Sequence, residues 1–162
     1  MKLEIPSLNF DAITIVDQNG EVVTYSLREE LSINKFDVRS EFYTQPSKYV
    51  YWSSLLEQVR LMEESLAVEL DRYRASIYES SRQAVAVETN NAKPTKDQIE
   101  SKIELDTTYN SLKNQLVQVR QNTKQLQSVV KAFEHRKDML VQIGAELRKD
   151  KDFTQKMNMG TI

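Results

Sequence analysis

Apolar side chains recur at the three- and four-residue spacing of an amphipathic helix along two long stretches of this chain. In the first stretch they are Trp52, Leu55, Leu56, Val59, Met62, Leu66, Leu70, Tyr73, Ile77 and Ala84. In the second they return every seventh residue, at Leu105, Leu112, Val119, Leu126, Phe133, Leu140 and Leu147. A strict seven-residue repeat is typical of coiled-coil-like packing. We therefore predict helices over about residues 46–86 and 95–149 that pack as a long antiparallel helical hairpin.

Polar residues interrupt the predicted apolar seam of the second helix at Thr123, Lys137 and Gly144, so we expect weaker packing there. A two-helix hairpin also has a thin core, because each helix covers only one face of the other. We therefore expect the chain to form a homo-oligomer, with the first-helix face around Leu61 and Tyr78 left to meet another copy.

The N-terminal segment has a different pattern, rich in β-branched and aromatic residues at 12–16 and 21–26. Asn19-Gly20 lies between these runs and is a strong signal for a tight β-turn. We predict a small β-hairpin, and then a short helix that begins with a capping box at Ser26–Glu29. The expected organisation is an N-terminal module over 1–33, a long helical hairpin over 34–150 and a flexible C-terminal tail over 151–162. The fold class is therefore mainly α.

One signal predicts the start of each long helix. Pro46 occupies a plausible first-turn position of the first long helix. Thr95 and Gln98 form a capping box immediately after Pro94, which marks the start of the second.

Composition narrows the classes of protein that this chain can be. Only three Gly and three Pro are present, which favours long helices, and the absence of cysteine excludes disulfides and thiolate metal sites. The net charge of −2 is unevenly distributed: residues 1–109 carry 19 acidic and 12 basic side chains, and residues 110–162 carry 5 and 10. Since no signal-peptide pattern or membrane-spanning run is visible, we expect an intracellular protein with no membrane partner.

Residues suited to catalysis are almost absent. The single histidine, His135, has no second base or ligand at helical spacing, and no glycine-rich phosphate loop is present. The carboxylate pairs Glu63/Glu64 and Glu100/Glu104 have the composition of a metal site, but acids on a charged helix are usually only solvated. We therefore predict a protein that is not an enzyme, with no catalytic residue, metal or cofactor.

The 27 residues from 107 to 133 contain no carboxylate, although the chain as a whole is acidic. Four cations share one narrow helical stripe there: Lys113, Arg120, Lys124 and Lys131. From the seven-residue repeat we expect this stripe to face away from the seam, with Arg136 and Lys137 extending the basic surface. A line of cations suits the phosphates of a nucleic acid. The alternatives are a merely solvated face or one that pairs with the acidic side chains of another protein.

Five aromatic residues cluster at the start of the first long helix: Phe42, Tyr43, Tyr49, Tyr51 and Trp52. Nucleic-acid bases stack on such rings. Packing of the helix start against the β-hairpin is the interpretation that we favour.

The order of these features resembles the UvsY-type recombination mediators of tailed phages over about residues 34–149. The first-helix opening with Tyr49 and Trp52 carries the resemblance, as does the segment "DRYRASIYESSR", which holds Arg72, Arg74, Tyr78 and Arg82. A polar linker and a leucine-spaced second helix with Arg136 follow in the same order. The N-terminal β-hairpin is not part of the family pattern.

The resemblance implies a non-enzymatic homo-oligomer that binds single-stranded DNA. Such proteins help to load a RecA-like recombinase onto strands coated by a single-strand binding protein, and they work in the host-cell cytoplasm. By this carry-over the leading DNA contacts are Arg72 and Arg74, with Arg82 beside them, and the late part of the second helix is the assembly element. The alternatives are a phage structural or scaffolding coiled-coil protein that acts through protein–protein contacts, and an adaptor that uses its helices to occupy a host protein.

Overall fold

The computed structural model describes the backbone of residues 12–16 and 21–159, and their side chains apart from Val16 and residues 153–159. In chain order the described elements are β1 (Ile13–Val16), β2 (Val22–Tyr25), α1 (Leu27–Leu31), α2 (Val38–Glu88), α3 (Lys96–Glu104) and α4 (Thr107–Met159). The helices α2 and α4 pack against each other, and β1 and β2 form an antiparallel hairpin. The predicted fold class, mainly α with an N-terminal β-hairpin, is confirmed.

The first long helix begins eight residues earlier than predicted. Its N-cap is Asp37, whose Oδ1 accepts a hydrogen bond from the Ser40 N–H at 3.1 Å. Pro46 therefore lies inside α2 rather than in its first turn. The helix ends at Glu88, after which Asn90 adopts a left-handed backbone with φ of 50° and the Asn91 N–H bonds back to the Ala86 carbonyl.

The second helical stretch is not one helix. α3 begins at the predicted Thr95–Gln98 capping box but ends at Glu104, and α4 starts at Thr107. Asp106 makes this break, because its Oδ1 accepts the N–H of Tyr109 at 2.8 Å, the position that an N-cap side chain satisfies. The same carboxylate accepts the Tyr73 hydroxyl at 3.1 Å. The prediction of a continuous helix over 95–149 is therefore wrong.

The seven-residue repeat is a buried seam only in its middle part. Leu105 is 76% exposed at the end of α3, and Leu147 is 45% exposed. Phe133 and Leu140 are buried, while the earlier members from Leu112 onward are half-buried. Since α4 continues to Met159, the predicted helix end at residue 149 is also wrong, and residues 160–162 of the predicted tail lie outside the described residues.

The chain divides into two compact units, which α2 and α4 both run through. The first unit comprises Met1–Trp52 and Ser128–Ile162, and the second comprises Ser53–Gln127. Each has its own buried side chains.

An aromatic cluster forms the centre of the first unit. The Trp52 ring is 1% exposed and stacks on Phe133 with 6.1 Å between ring centroids. Tyr25 of β2 meets Trp52 edge-on at 5.5 Å, and its hydroxyl accepts a hydrogen bond from the Tyr51 hydroxyl at 2.7 Å. The β-hairpin is thereby packed on α2, as a lone two-stranded hairpin requires.

The register of the hairpin pairs Ile13 with Tyr25 and Val16 with Val22. An unbulged two-residue turn at Asn19-Gly20 would instead pair Val16 with Val23, one residue further along. The predicted turn itself lies outside the described residues.

The core of the second unit lies where α2 and α4 run antiparallel and α3 packs beside them. Ile99 and Ile103 are the buried side chains of α3, and Val85 near the end of α2 is buried as well. Further along, Leu56 of α2 and Leu116 of α4 are buried. The hydrophobic effect of this burial holds the second unit together.

The three positions that interrupt the predicted seam, Thr123, Lys137 and Gly144, differ in the structure. Thr123 is buried, and its hydroxyl lies 2.9 Å from Glu63 Oε2 and 3.0 Å from the Val119 carbonyl. Arg136 is buried in the seam, whereas Lys137 is exposed. At Gly144 the Phe42 ring occupies the space of a side chain, since a Cβ there would lie 2.9 Å from Phe42 Cζ. The weak packing that we expected at Thr123 is thus compensated by hydrogen bonding.

Candidate nucleic-acid interface

The nine basic residues expected to contact nucleic acid fall in different units. Six belong to the second unit: Arg72, Arg74, Arg82, Lys113, Arg120 and Lys124. Three belong to the first: Lys131, Arg136 and Lys137. The second unit therefore holds the larger candidate surface.

The sequence predicts that the basic stripe of α4 faces away from the seam. In the structure the stripe lies beside the seam, so this prediction is wrong. Arg120 Nε donates to Glu63 Oε1 across the α2–α4 interface at 3.3 Å, and Glu63 also accepts from the buried Thr123. Since Thr123 is a seam residue, Arg120 is only about 60° away from the seam on the helix. On the sequence pattern alone, Thr123 interrupts the apolar face. The predicted centre of that face therefore lies further from Arg120 than the buried seam does in the structure.

Lys113 and Lys124 follow the same side of α4 as Arg120, because they are seven residues before it and four after it. The Lys113 ammonium lies 3.1 Å from Glu104 Oε1 and 5.8 Å from the centre of the Tyr109 ring. Lys124 is exposed one turn beyond Arg120. These three cations of the stripe therefore lie on one surface of the second unit, and the fourth, Lys131, belongs to the first unit.

The basic pair that carries the family resemblance does not form one surface. Arg72 and Arg74 are two residues apart, which places their side chains about 200° from each other on α2. Arg72 is exposed on the outer side of the helix. Arg74 turns towards α3 and pairs with Glu100, which raises the pKa of Arg74 above its ordinary value and keeps it cationic.

Arg74 lies on the same side of α2 as Glu63, the acceptor of Arg120, because eleven residues make almost three whole turns. The second unit thus gathers four cations on one side, which we call the basic flank: Arg74, Lys113, Arg120 and Lys124. Arg60, which we did not single out from the sequence, precedes Arg74 by two seven-residue periods and lies on this side as well, paired with Glu57 at 2.6 Å. Counting basic residues of α2 at a period of seven would have found it.

The carboxylates facing the basic flank come from elsewhere in the second unit. Glu63, Glu100 and Glu104 accept from Arg120, Arg74 and Lys113 respectively. These acids include members of both carboxylate pairs that we weighed as metal ligands. The side chains of the three cations are still 43–55% exposed, so their ion pairs are surface pairs that stabilise the fold little and exchange readily.

Arg82 is separate from the basic flank. Its guanidinium lies 3.4 Å from Glu79 one turn earlier, with the side chain 48% exposed. It shares the outer side of α2 with Arg72.

In the first unit, Arg136 is a structural residue and is removed from the candidate surface. Its side chain is only 2% exposed. The guanidinium donates to the carbonyls of Leu31 at 3.3 Å and Ser32 at 2.9 Å, and it also bonds the side chains of Gln45 and Glu41. Four of its five N–H donors are thus engaged within the unit, and the enclosed side chain is not accessible to a phosphate.

Glu41 is the charged partner that balances this buried guanidinium. The backbone N–H of Asn34 donates to its Oε1 at 3.0 Å and is the main cause that holds the pKa of Glu41 below its ordinary value. Burial works in the opposite direction, and the bond from Arg136 lowers the pKa further.

Lys131 and Lys137 remain exposed in the first unit. Lys137 lies 3.3 Å from the neighbouring Asp138, with its side chain 63% exposed. These two lysines are the accessible cations that the expected set leaves in this unit.

The aromatic cluster is mainly a packing element. Trp52 and Tyr51 belong to the core contacts described above, and the Tyr49 hydroxyl donates to Glu134 at 3.3 Å. Phe42 lies on Gly144, which leaves Tyr43, at 72% exposed, as the ring most available to an outside partner. The predicted packing against the β-hairpin is therefore confirmed for Tyr51 and Trp52, which contact Tyr25, whereas Phe42 and Tyr49 contact α4.

His135 lines a shallow cleft of about 350 Å³ in the first unit, together with Leu31, Ile33, Ala132, Arg136 and Met139. Within the described residues, no three His, Asp or Glu side chains come together as a metal-binding group. No described helix is both long and apolar enough to cross a membrane.

Comparison with known proteins returns no match among family models, curated proteins or solved structures.

Proposed function

We propose that this chain is a non-enzymatic protein of the host-cell cytoplasm that binds single-stranded DNA through the basic flank of its second unit. We further propose that it acts as a recombination mediator, which helps to load a RecA-like recombinase onto DNA coated by a single-strand binding protein. The observation that carries the DNA-binding proposal is the placement of Arg74, Lys113, Arg120 and Lys124 on one accessible side. The mediator role rests on the resemblance of the sequence to the UvsY-type family.

The basic flank suits phosphates rather than bases. At about 1.5 Å per residue, Lys113, Arg120 and Lys124 recur at intervals of roughly 6 to 11 Å along α4. A flexible single strand can bring successive phosphates to cations at such intervals without any base being read. Because the ion pairs with Glu63, Glu100 and Glu104 are exposed, a phosphate can replace the carboxylate.

Affinity for DNA depends on the clustering of cations in the basic flank and not on the net charge, because the second unit as a whole is nearly neutral. Residues 53–127 contain eleven acidic and ten basic side chains. A single protomer is therefore expected to bind weakly. Self-association places several basic flanks on one strand, which raises the overall affinity without new contacts.

A second candidate function is a structural or scaffolding protein that acts through protein–protein contacts. The observation that favours it is that Arg74, Lys113 and Arg120 already have carboxylate partners within the unit. These internal pairs account for the carboxylate-free stretch 107–133 without any polyanion.

Fluorescence anisotropy of a labelled oligo-dT strand distinguishes the two functions. With four phosphate contacts on a single strand, the logarithm of the binding constant should fall with the logarithm of the salt concentration with a slope of about −3. The mediator role predicts in addition that the protein increases the DNA-dependent ATPase of a RecA-like recombinase on strands coated by a single-strand binding protein. Absence of binding at low salt would reject the DNA-binding function and support the scaffolding alternative.

A further inference from the structure

Two carboxylates of the second unit hold cations of the basic flank from a neighbouring helix. Glu63 of α2 accepts from Arg120 of α4, with 3.3 Å between Oε1 and Nε. Glu100 of α3 accepts from Arg74 of α2. Because the two partners of each pair belong to different helices, the packing of the unit keeps each carboxylate beside its cation.

Both carboxylates are more enclosed than the cations that they hold. The side chains of Glu63 and Glu100 are each 27% exposed, against 55% for Arg120 and 43% for Arg74. The hydroxyl of the buried Thr123 holds Glu63 in addition, 2.9 Å from Oε2. Salt screens an enclosed charge less than an exposed one, so these two acids attract their cations more strongly than a fully solvated acid would.

Glu104 is the contrasting acid of the basic flank. It lies 3.1 Å from the Lys113 ammonium, but its own side chain is 60% exposed and that of Lys113 is 46% exposed. Screening is greater at such an exposed pair. We therefore expect Glu104 to attract its lysine less strongly than Glu63 and Glu100 attract their arginines.

We propose that Glu63 and Glu100 are internal competitors of DNA, which occupy Arg120 and Arg74 and so lower the affinity of the basic flank for a strand. The inference rests on the proposed function, since it concerns regulation of the same surface. A carboxylate fixed beside a cation competes as an intramolecular ligand with a high effective concentration. A phosphate has to displace it, and the displaced carboxylate then stays close to the phosphate and repels it.

Neutral isosteres of the two acids should therefore strengthen DNA binding. We expect the double variant Glu63→Gln, Glu100→Gln to bind oligo-dT on the order of tenfold more tightly than wild type at about 0.1 M salt, because two ion pairs no longer compete. Each of the two single substitutions should give a larger gain than Glu104→Gln. Fluorescence anisotropy measures the affinities, and circular dichroism should show the same helical content in all variants.

The double variant Glu69→Gln, Glu79→Gln is the control for the change of net charge. Both acids are exposed on α2, about 140° around the helix from Arg74. Substitution of Glu79 also releases Arg82, a cation outside the basic flank. The far side of a helix is about one Debye length away at this salt concentration, so the control should bind within about twofold of wild type.

A double-mutant cycle locates the competition at one cation. Glu63→Gln should strengthen binding in the wild-type chain but not in Arg120→Gln, because that variant has no guanidinium for Glu63 to release. A gain that persists without Arg120 would overturn the proposal, as would an affinity of Glu63→Gln, Glu100→Gln no higher than that of the control. In both cases the DNA-binding function would stand. Absence of binding by wild type and by Glu63→Gln, Glu100→Gln alike would reject the DNA-binding function itself, and the competition with it.

Discussion

At the scale of single residues, Arg136 and Lys137 show how far neighbouring cations differ in role. The sequence offered both as nucleic-acid contacts, yet Arg136 is enclosed in the first unit and Lys137 is 63% exposed. The acceptors of Arg136 include the carbonyls of Leu31 and Ser32, which lie more than a hundred residues earlier in the chain. A helical pattern within α4 contains no information about such distant partners, so this role could not be predicted.

Replacement of Arg136 should destabilise the first unit strongly. Arg136→Met removes the cation that pairs with Glu41 and the donor to the carbonyls of Leu31 and Ser32, and breaking a buried ion pair in this way typically costs about 3–5 kcal/mol. Trp52, the only tryptophan, lies in the same unit and reports urea unfolding by its fluorescence. Lys137→Met is the matched control and should change the free energy of unfolding by no more than about 0.5 kcal/mol. Equal effects of the two substitutions would contradict the buried role of Arg136.

The carboxylate of Glu41 predicts a dependence of stability on pH. Its pKa is lowered in the folded chain from an ordinary value of 4.5, so the ionised form stabilises the fold above about pH 4.5. This stability is lost as the pH falls further, through the lowered folded pKa. Glu41→Gln should therefore lower the free energy of unfolding at pH 7, and its difference from wild type should shrink in acid. A difference that stays constant between pH 7 and pH 3 would show that Glu41 does not act through its charge.

At the scale of elements, capping side chains were more informative about helix starts than the seven-residue repeat or Pro46, which lies inside α2. Ser26 and Thr95 cap α1 and α3 as predicted, because their side chains satisfy N–H groups that every helix start leaves free. The repeat by contrast continued through Leu105, although the helix breaks there. Asp106 followed by Thr107 is itself an N-cap signal, and apolar spacing alone masked it.

Substitution of Asp106 tests the break between α3 and α4. Asp106→Ala removes the acceptor of the Tyr109 N–H and of the Tyr73 hydroxyl, and loss of an N-cap typically costs about 1 kcal/mol. Urea unfolding followed by circular dichroism measures the change. Asp97→Ala, at an exposed acid in the first turn of α3, is the control and should have a smaller effect. An unchanged or higher stability of Asp106→Ala would indicate one continuous helix, as the repeat predicts.

At the scale of the whole molecule, the sequence predicted the fold class but not the arrangement of charges. Apolar spacing identifies which side of each helix is buried, and two long apolar sides with a hairpin signal suffice for a mainly α protein. Which carboxylate meets which cation depends on the register between helices. The contacts of Glu63 with Arg120, and of Glu100 with Arg74, join residues far apart in the sequence. The division into two units was likewise not visible, because α2 and α4 continue through both.

The central claim is that the basic flank of the second unit binds single-stranded DNA. The most direct measurement compares the affinity for oligo-dT, over a range of salt concentrations, of two variants with the same change of charge. One carries Lys113→Gln, Arg120→Gln and Lys124→Gln, and the control carries Gln at the exposed lysines Lys35, Lys93 and Lys96. We predict that the flank variant binds at least about tenfold more weakly at low salt and has a salt slope flatter by about 2, with unchanged helical content. Equal loss of affinity in both variants, or none in either, would contradict the claim.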